Sequence, residues 1–170
     1  TMQPLHGVNT ILKAAELLVK ITDYKFIIIG DEKLLEKNKD IRSNLENVVF
    51  LPPIPYKELP QQIANSMICL GGPFGNTEKA YRVITGKTFQ FMAMGKPIIV
   101  TDTPANKELL TDRFDAHFCN INDPQSLATA ILQLINDPIY MSFLGKNALD
   151  TYQHTANYSY VKKSLNNILQ

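Results

Sequence analysis

The segment Gly71-Gly-Pro-Phe-Gly-Asn-Thr-Glu-Lys-Ala-Tyr-Arg-Val-Ile-Thr-Gly-Lys-Thr-Phe-Gln90 concentrates the residues best suited to chemistry. It holds three cations, Lys79, Arg82 and Lys87, and Gly86-Lys87-Thr88 opens a stretch of apolar, helical character. A helix start presents unpaired backbone N–H groups and the positive end of the helix dipole, so it favours an anion such as a diphosphate. Lysine or arginine beside it adds charge-assisted hydrogen bonds. The same residues also suit a long surface loop with solvated lysines, and residue types alone leave both readings open.

Other chemistries find less support. Gly86-Lys87-Thr88 lacks the upstream glycine of a Walker loop, and no GxGxxG follows a strand, which weakens a dinucleotide dehydrogenase. His6, His117 and His154 share no metal-ligand spacing, and no HExxH, GxSxG or paired-carboxylate motif is present, so no metal site is expected. His117 alternates within a strand and reads as structural, and His6 beside Gly7 reads as a cap with an anion contact as the alternative. Gly30, at a turn after a strand, would let backbone approach a ligand or would simply turn the chain. Tyr152, Tyr158 and Tyr160 read as anchors at the edge of the core.

The elements that position these residues alternate. Val8, Ile11, Leu12, Ala15 and Leu18 follow helical spacing. Lys25–Gly30 is a continuous apolar run, expected as a strand covered on both faces. Leu34, Leu35, Ile41 and Leu45 mark a second helix. Asn47–Leu51 is a strand stopped by prolines, 57–65 a short helix, and Ser66–Leu70 a third strand. A helix from Lys87 to about Met94 leads to a strand at Pro97–Thr101, a short helix at Pro104–Leu110 and a strand at Ala116–Asn120. Asp123-Pro124 pairs a capping residue with a proline at the first helical position. Helices over 138–152 and 157–169 follow. Alternating strands and helices predict an α/β fold with a Rossmann-like parallel sheet and helices on both faces. Ligands then bind beyond the carboxyl ends of the strands.

At 170 residues, with 45% hydrophobic and 19% charged residues, the chain has the composition of one globular domain and excludes wholesale disorder. Seventeen Lys and Arg against 16 Asp and Glu give a net charge of +1, which argues against nonspecific nucleic-acid binding. Cys69 and Cys119 form no CxxC pair or disulfide framework, and no apolar run approaches the length of a membrane helix. The expected location is cytoplasmic, or peripheral at the inner face of the membrane for a longer protein.

The order of these pieces resembles the C-terminal, nucleotide-sugar-binding domain of GT-B glycosyltransferases, in the retaining glycosyltransferase family 4 group. The landmarks are Pro4-Leu-His-Gly7 with its following helix, Phe26-Ile-Ile-Ile-Gly30, Asn47-Val-Val-Phe50 with Tyr56-Lys-Glu-Leu59, and Gln90-Phe-Met-Ala-Met-Gly-Lys-Pro-Ile-Ile-Val-Thr-Asp102 with Glu108-Leu-Leu110. The resemblance covers essentially the whole chain. It implies transfer of a sugar from a nucleoside diphosphate sugar to a glycan or lipid-linked acceptor, with no cofactor. Ile54 and Tyr56 would lie near the base and Gln90 at the ribose. Lys79 and Gly30 would line the donor site, with Arg82 and Lys87 balancing leaving-group charge. Two glutamates eight residues apart are frequent in the family, and here those positions read Arg82 and Gln90. Gln90 can still hydrogen-bond ribose hydroxyls, whereas Arg82 cannot replace a carboxylate. The family's lysine before the first glycine is His6.

The resemblance further implies a first strand, normally central, lying just before Thr1, and an acceptor domain upstream of it. The chain is then a single-domain fragment of a two-domain enzyme, inactive alone, with a gap in its sheet or with another segment in that slot. An exposed central edge would invite a dimer. A non-catalytic nucleotide- or protein-binding module is the alternative, and a GT-B epimerase of UDP-sugars ranks below it for want of paired carboxylates.

Overall fold

The computed structural model describes residues 3–30 and 45–169. Among the described residues five strands, all parallel to their neighbours, form two sheets. One pairs β1 (Phe26–Ile29) with β2 (Val48–Leu51); the other has the order β3 (Cys69–Gly72), β4 (Ile98–Thr101), β5 (His117–Cys119). Among the described residues no strand bridges β1 and β3.

The helices are α1 (Val8–Leu18), α2 (Leu59–Asn65), α3 (Gly86–Ala93), α4 (Pro104–Lys107), α5 (Pro124–Ile135), α6 (Pro138–Thr155) and α7 (Tyr158–Ile168), with short 3-10 turns at Pro4–His6, Tyr56–Glu58 and Glu78–Tyr81. They cover both faces, and β4 shows why. Its Ile99 packs into one core with Leu12 and Leu18 of α1 and Leu127 and Leu134 of α5. Its Ile98 and Val100 point the other way, to Met92 of α3 and Ala148 of α6. A strand buried on both faces must be apolar at every position. Each of the fully buried Leu, Ile, Val and Met side chains among these contributes about 1.5–3 kcal/mol of transfer free energy. The first core spans both ladders, because Ile28 joins it and Asn47, at the start of β2, donates from Nδ2 to the Ala15 carbonyl at 2.7 Å.

Several expectations need correction. The third strand begins at Cys69, not Ser66, and continues through Gly71 and Gly72. Glycine at 71 is required by packing: a Cβ there would lie 2.9 Å from both Ile98 and Thr88. β1 is not buried at every position: Ile28 is 6% exposed and Ile27 50%. Tyr158 and Tyr160 are exposed and do not anchor the core edge, whereas Tyr152 does pack against it. The Pro104 helix ends at Lys107, short of Leu110. The helix expected from Leu34, Leu35 and Ile41 lies outside the described residues, as does the Asp31-Glu32 part of the turn after Gly30.

Candidate active site

The exit of β3 is tied down carbonyl by carbonyl. Thr85 Oγ1 donates to the Gly71 carbonyl (2.8 Å), Asn106 Nδ2 to Gly72 (3.1 Å), Thr101 Oγ1 to Pro73 (2.9 Å) and Thr10 Oγ1 to Phe74 (3.2 Å). Each donor comes from a different element and each is buried. Four consecutive buried carbonyls, at the last two residues of β3 and the two that follow, are thereby satisfied by side chains, which fixes the path of the chain as it leaves the strand. The loop then interlocks with the turn before α1. Gly75 N–H donates to the Leu5 carbonyl (2.9 Å), and a Cβ at Gly75 would sit 2.1 Å from the Pro4 carbonyl oxygen. Gly7, at φ +63°, would place a Cβ 2.2 Å from the Phe74 carbonyl carbon. Only glycine permits this approach at both positions.

This clasp brings the starts of α1 and α3 to the carboxyl end of β3. Asp123, Asp137, Asn157 and Thr103 cap α5, α6, α7 and α4 through their side chains. The N-caps of α1 and α3, Gly7 and Thr85, supply no side-chain bond, and neither does Glu58 before α2. First-turn amides of α1 and α3 are thus left without that partner, and both helix starts lie near Phe74, Gly7 against its carbonyl and Lys87 near its ring.

Lys87 stands in the first turn of α3 with its ammonium 5.9 Å from the centroid of the Phe74 ring. The residue keeps some surface, but its charged end is in desolvated surroundings, which push its pKa down to about 8. Among the described residues it has no hydrogen bond and no carboxylate partner. His6 is close enough for Lys87 to depress its pKa, after desolvation as the larger cause. The Gln3 N–H donates to His6 Nδ1 (3.1 Å), leaving Nε2 as the protonated nitrogen of the neutral ring. A neutral N–H donor and an unpaired ammonium, next to two uncapped helix starts, form a site that an anion would complete.

Arg82 and Lys79, expected beside Lys87, are exposed on the 3-10 turn, and Arg82 is ion-paired with Glu78. Gly30 is at the end of β1, where its N–H extends the ladder to the Leu51 carbonyl (3.1 Å). Ile54 is half-buried in the loop after β2. Gln90 and Tyr56 do come together: Gln90 Nε2 is 3.5 Å from the Tyr56 hydroxyl. They flank a cleft of about 280 Å³ between α2 and α3, walled by Phe89, Met94 and Tyr152. Sequence reasoning missed two contributors, Tyr152 as a wall of the cleft and Asn106, and gave His6 an anion contact as the alternative to a cap. Tyr152 reaches the cleft because α6 runs back along α3, its Gly145 seated against the Gly95 carbonyl. His6 is carried in by the clasp. Asn106 ties the loop, and its one sequence signal was Thr103-Pro104, a helix start that fixes where Asn106 points. Lys96, in the Ala-Met-Gly-Lys-Pro block, is structural: its ammonium binds the Ala64 (2.6 Å) and Ser66 (2.8 Å) carbonyls at the end of α2.

Comparison with known proteins agrees with this architecture. An uncharacterized glycosyltransferase of Methanocaldococcus jannaschii is 25% identical over 146 residues, covering 85% of this chain and 39% of that protein. The chain therefore spans well under half the length of this curated relative. Among solved structures, the C-terminal domain of a glycosyl transferase group 1 family protein from Francisella tularensis superposes with a TM-score of 0.74 at 17% identity, over 92% of this chain and 83% of that one. HepE of Anabaena in complex with UDP-glucose gives 0.79 at 16% identity, over 98% and 46%. The sequence pattern of the family described as glycosyl transferases group 1 matches residues 1–137. With the clasped loop, the parallel sheets and these matches together, the chain belongs to that family and has the C-terminal-domain fold of the GT-B glycosyltransferases.

Proposed function

We propose that this chain is the donor-binding half of a hexosyltransferase that moves a sugar from a nucleoside diphosphate sugar to a glycan or lipid-linked acceptor. The observation that carries the reading is Lys87: an ammonium with no partner among the described residues, held in desolvated surroundings at the uncapped start of α3. An isolated buried charge is costly, and an incoming diphosphate would remove that cost. The bond from the anomeric carbon to the diphosphate oxygen breaks, a bond to the acceptor oxygen forms, the acceptor proton is lost, and the departing diphosphate keeps the electron pair. Lys87, the His6 Nε2–H and the two helix starts stabilise that growing charge without reorganising, and no resident cofactor is required. Gln90 binds the ribose, with Tyr56 and Ile54 at the base; Arg82 and Lys79 supply longer-range positive charge from the loop rim, and Gly30 leaves room at the end of β1. Complexes of Anabaena HepE with UDP and with UDP-glucose make uracil the first base to try.

The acceptor, in this reading, is held by a further domain of a longer polypeptide. In this reading one more parallel strand, from before Thr1 as the family resemblance implies, pairs between β1 and β3, and a dimer through these edges is the rival occupant. Full-length protein supplied with UDP-sugars should transfer sugar, and the Lys87→Ala protein should lose that activity while remaining folded. Turnover by the 170-residue chain alone would contradict the division of labour. Failure of any nucleoside diphosphate to bind the folded chain would favour a protein-interaction module.

A further inference from the structure

Thr85 has every feature of a helix cap except the capping bond. It precedes α3 with an extended backbone (φ −74°, ψ 143°), and threonine is a residue type that caps well. Thr103, Asp123, Asp137 and Asn157 hold the same place on α4, α5, α6 and α7, and each accepts a first-turn N–H through its side-chain oxygen. Thr85 accepts none.

The reason lies on β3. Its register against β4 pairs Leu70 with Ile99 and Gly72 with Val100, so Gly71 is a bulge without a ladder partner. The Gly71 carbonyl instead accepts from Thr85 Oγ1 at 2.8 Å. That bond uses the one hydroxyl hydrogen of Thr85, so Thr88 Oγ1, 3.0 Å away, donates to Thr85 Oγ1 in turn. Both threonines are buried, and the bare backbone of Gly71 is what lets Thr88 come so close. The Thr85 side chain is thereby turned towards β3 and away from the end of its own helix. The Thr88 N–H bonds the Thr85 carbonyl at 3.0 Å, but the N–H groups of Gly86 and Lys87 have no hydrogen bond among the described residues. A Cβ at Gly86 would meet nothing within 4 Å, so no neighbouring group crowds that end of the helix.

We propose that Thr85 is a positioning residue for the donor diphosphate. Its bond to Gly71 withholds a capping oxygen from α3, keeps the Gly86 and Lys87 amides open to phosphate oxygens, and fixes the helix start against the exit of β3. The inference rests on the donor-site reading of Lys87 given above. The probe is pyrophosphate, titrated calorimetrically into the 170-residue chain while the amide resonances of Gly86 and Lys87 are followed by NMR. Both amides should shift in the parent and in Thr85→Ser, which keeps the hydroxyl and should bind as the parent does. Thr85→Val keeps the shape but loses the bond to Gly71, so the urea midpoint should fall and the folded chain should bind pyrophosphate more weakly. Thr85→Asn offers an uncharged oxygen able to cap the Lys87 N–H, so binding should weaken roughly tenfold and the Lys87 amide should no longer respond. A threonine that only packs the core would move the midpoint and leave the affinity of the folded chain unchanged. The proposal is overturned if bound pyrophosphate leaves both amides of the parent unshifted, or if the folded valine and asparagine variants bind as the parent does. In either case, weaker binding by Lys87→Met leaves the donor-site reading standing. A folded parent that binds no pyrophosphate overturns that reading and this one together.

Discussion

Replacing Lys87 by methionine separates a functional lysine from a structural one, because the account gives its two effects opposite signs. Desolvation lowers the ammonium pKa from its ordinary 10.5 to about 8. The unfolded chain therefore holds the extra proton between about pH 8 and 10.5, and stability rises with pH across that window. Below pH 8 the penalty is fully present, and at about 1.4 kcal/mol per pH unit it amounts to about 3 kcal/mol as an upper bound. Lys87→Met removes the charge and keeps most of the volume, so at neutral pH the variant should be more stable by up to about 3 kcal/mol, a gain that fades to nothing as pH approaches 10.5. The same change deletes a charged contact to the donor diphosphate, worth about 1.5–3 kcal/mol, which weakens binding roughly 10- to 150-fold. In the parent chain, affinity should fall as pH rises above 8 and the ammonium loses its proton. Urea titrations at neutral and alkaline pH, with calorimetric titration of UDP, read both effects. A variant that is less stable at neutral pH, or one that binds the diphosphate as tightly as the parent, refutes the assignment.

Three further outcomes follow from the geometry. Gly75→Ala forces a Cβ to within 2.1 Å of the Pro4 carbonyl oxygen, so the clasp should open and thermal unfolding should show a loss of about 2 kcal/mol or more. Gln90→Ala should leave the fold intact and, if Gln90 binds the ribose as proposed, remove one neutral hydrogen bond, weakening UDP binding by roughly two- to tenfold in calorimetry while binding of pyrophosphate stays unchanged. Cys69 and Cys119 are buried, with thiols pushed up to about 12, so a disulfide-exchange reagent should label neither in the native chain and both in denaturant.

The sequence made the strand and helix order legible because buried parallel strands need uninterrupted apolar runs, and Phe26–Ile29 and Ile98–Thr101 have them. The resemblance put Tyr56 at the base and Gln90 at the ribose of one ligand, and in the structure Gln90 Nε2 lies 3.5 Å from the Tyr56 hydroxyl. What could not be read were contacts set by long-range closure. Spacing alone does not tell that Thr10, Thr85, Thr101 and Asn106 converge on four consecutive carbonyls from positions nearly 100 residues apart. For the same reason the cations at 79, 82 and 87 looked alike in sequence, yet only Lys87 is drawn into desolvated surroundings, since the other two sit on a turn that faces water. The third strand was placed early because Ser66–Ile68 is compatible with an extended chain, whereas Lys96 fastens Ser66 to the end of α2.

The most direct test of the central claim is a calorimetric titration of the 170-residue chain with UDP, GDP and ADP alongside uridine, on a sample that unfolds cooperatively. The account predicts that at least one diphosphate binds at a single site, that uridine binds far more weakly, and that the diphosphate's advantage disappears in Lys87→Met. A cooperatively folded chain that binds none of the three diphosphates, or binds one with undiminished affinity after that substitution, would contradict it.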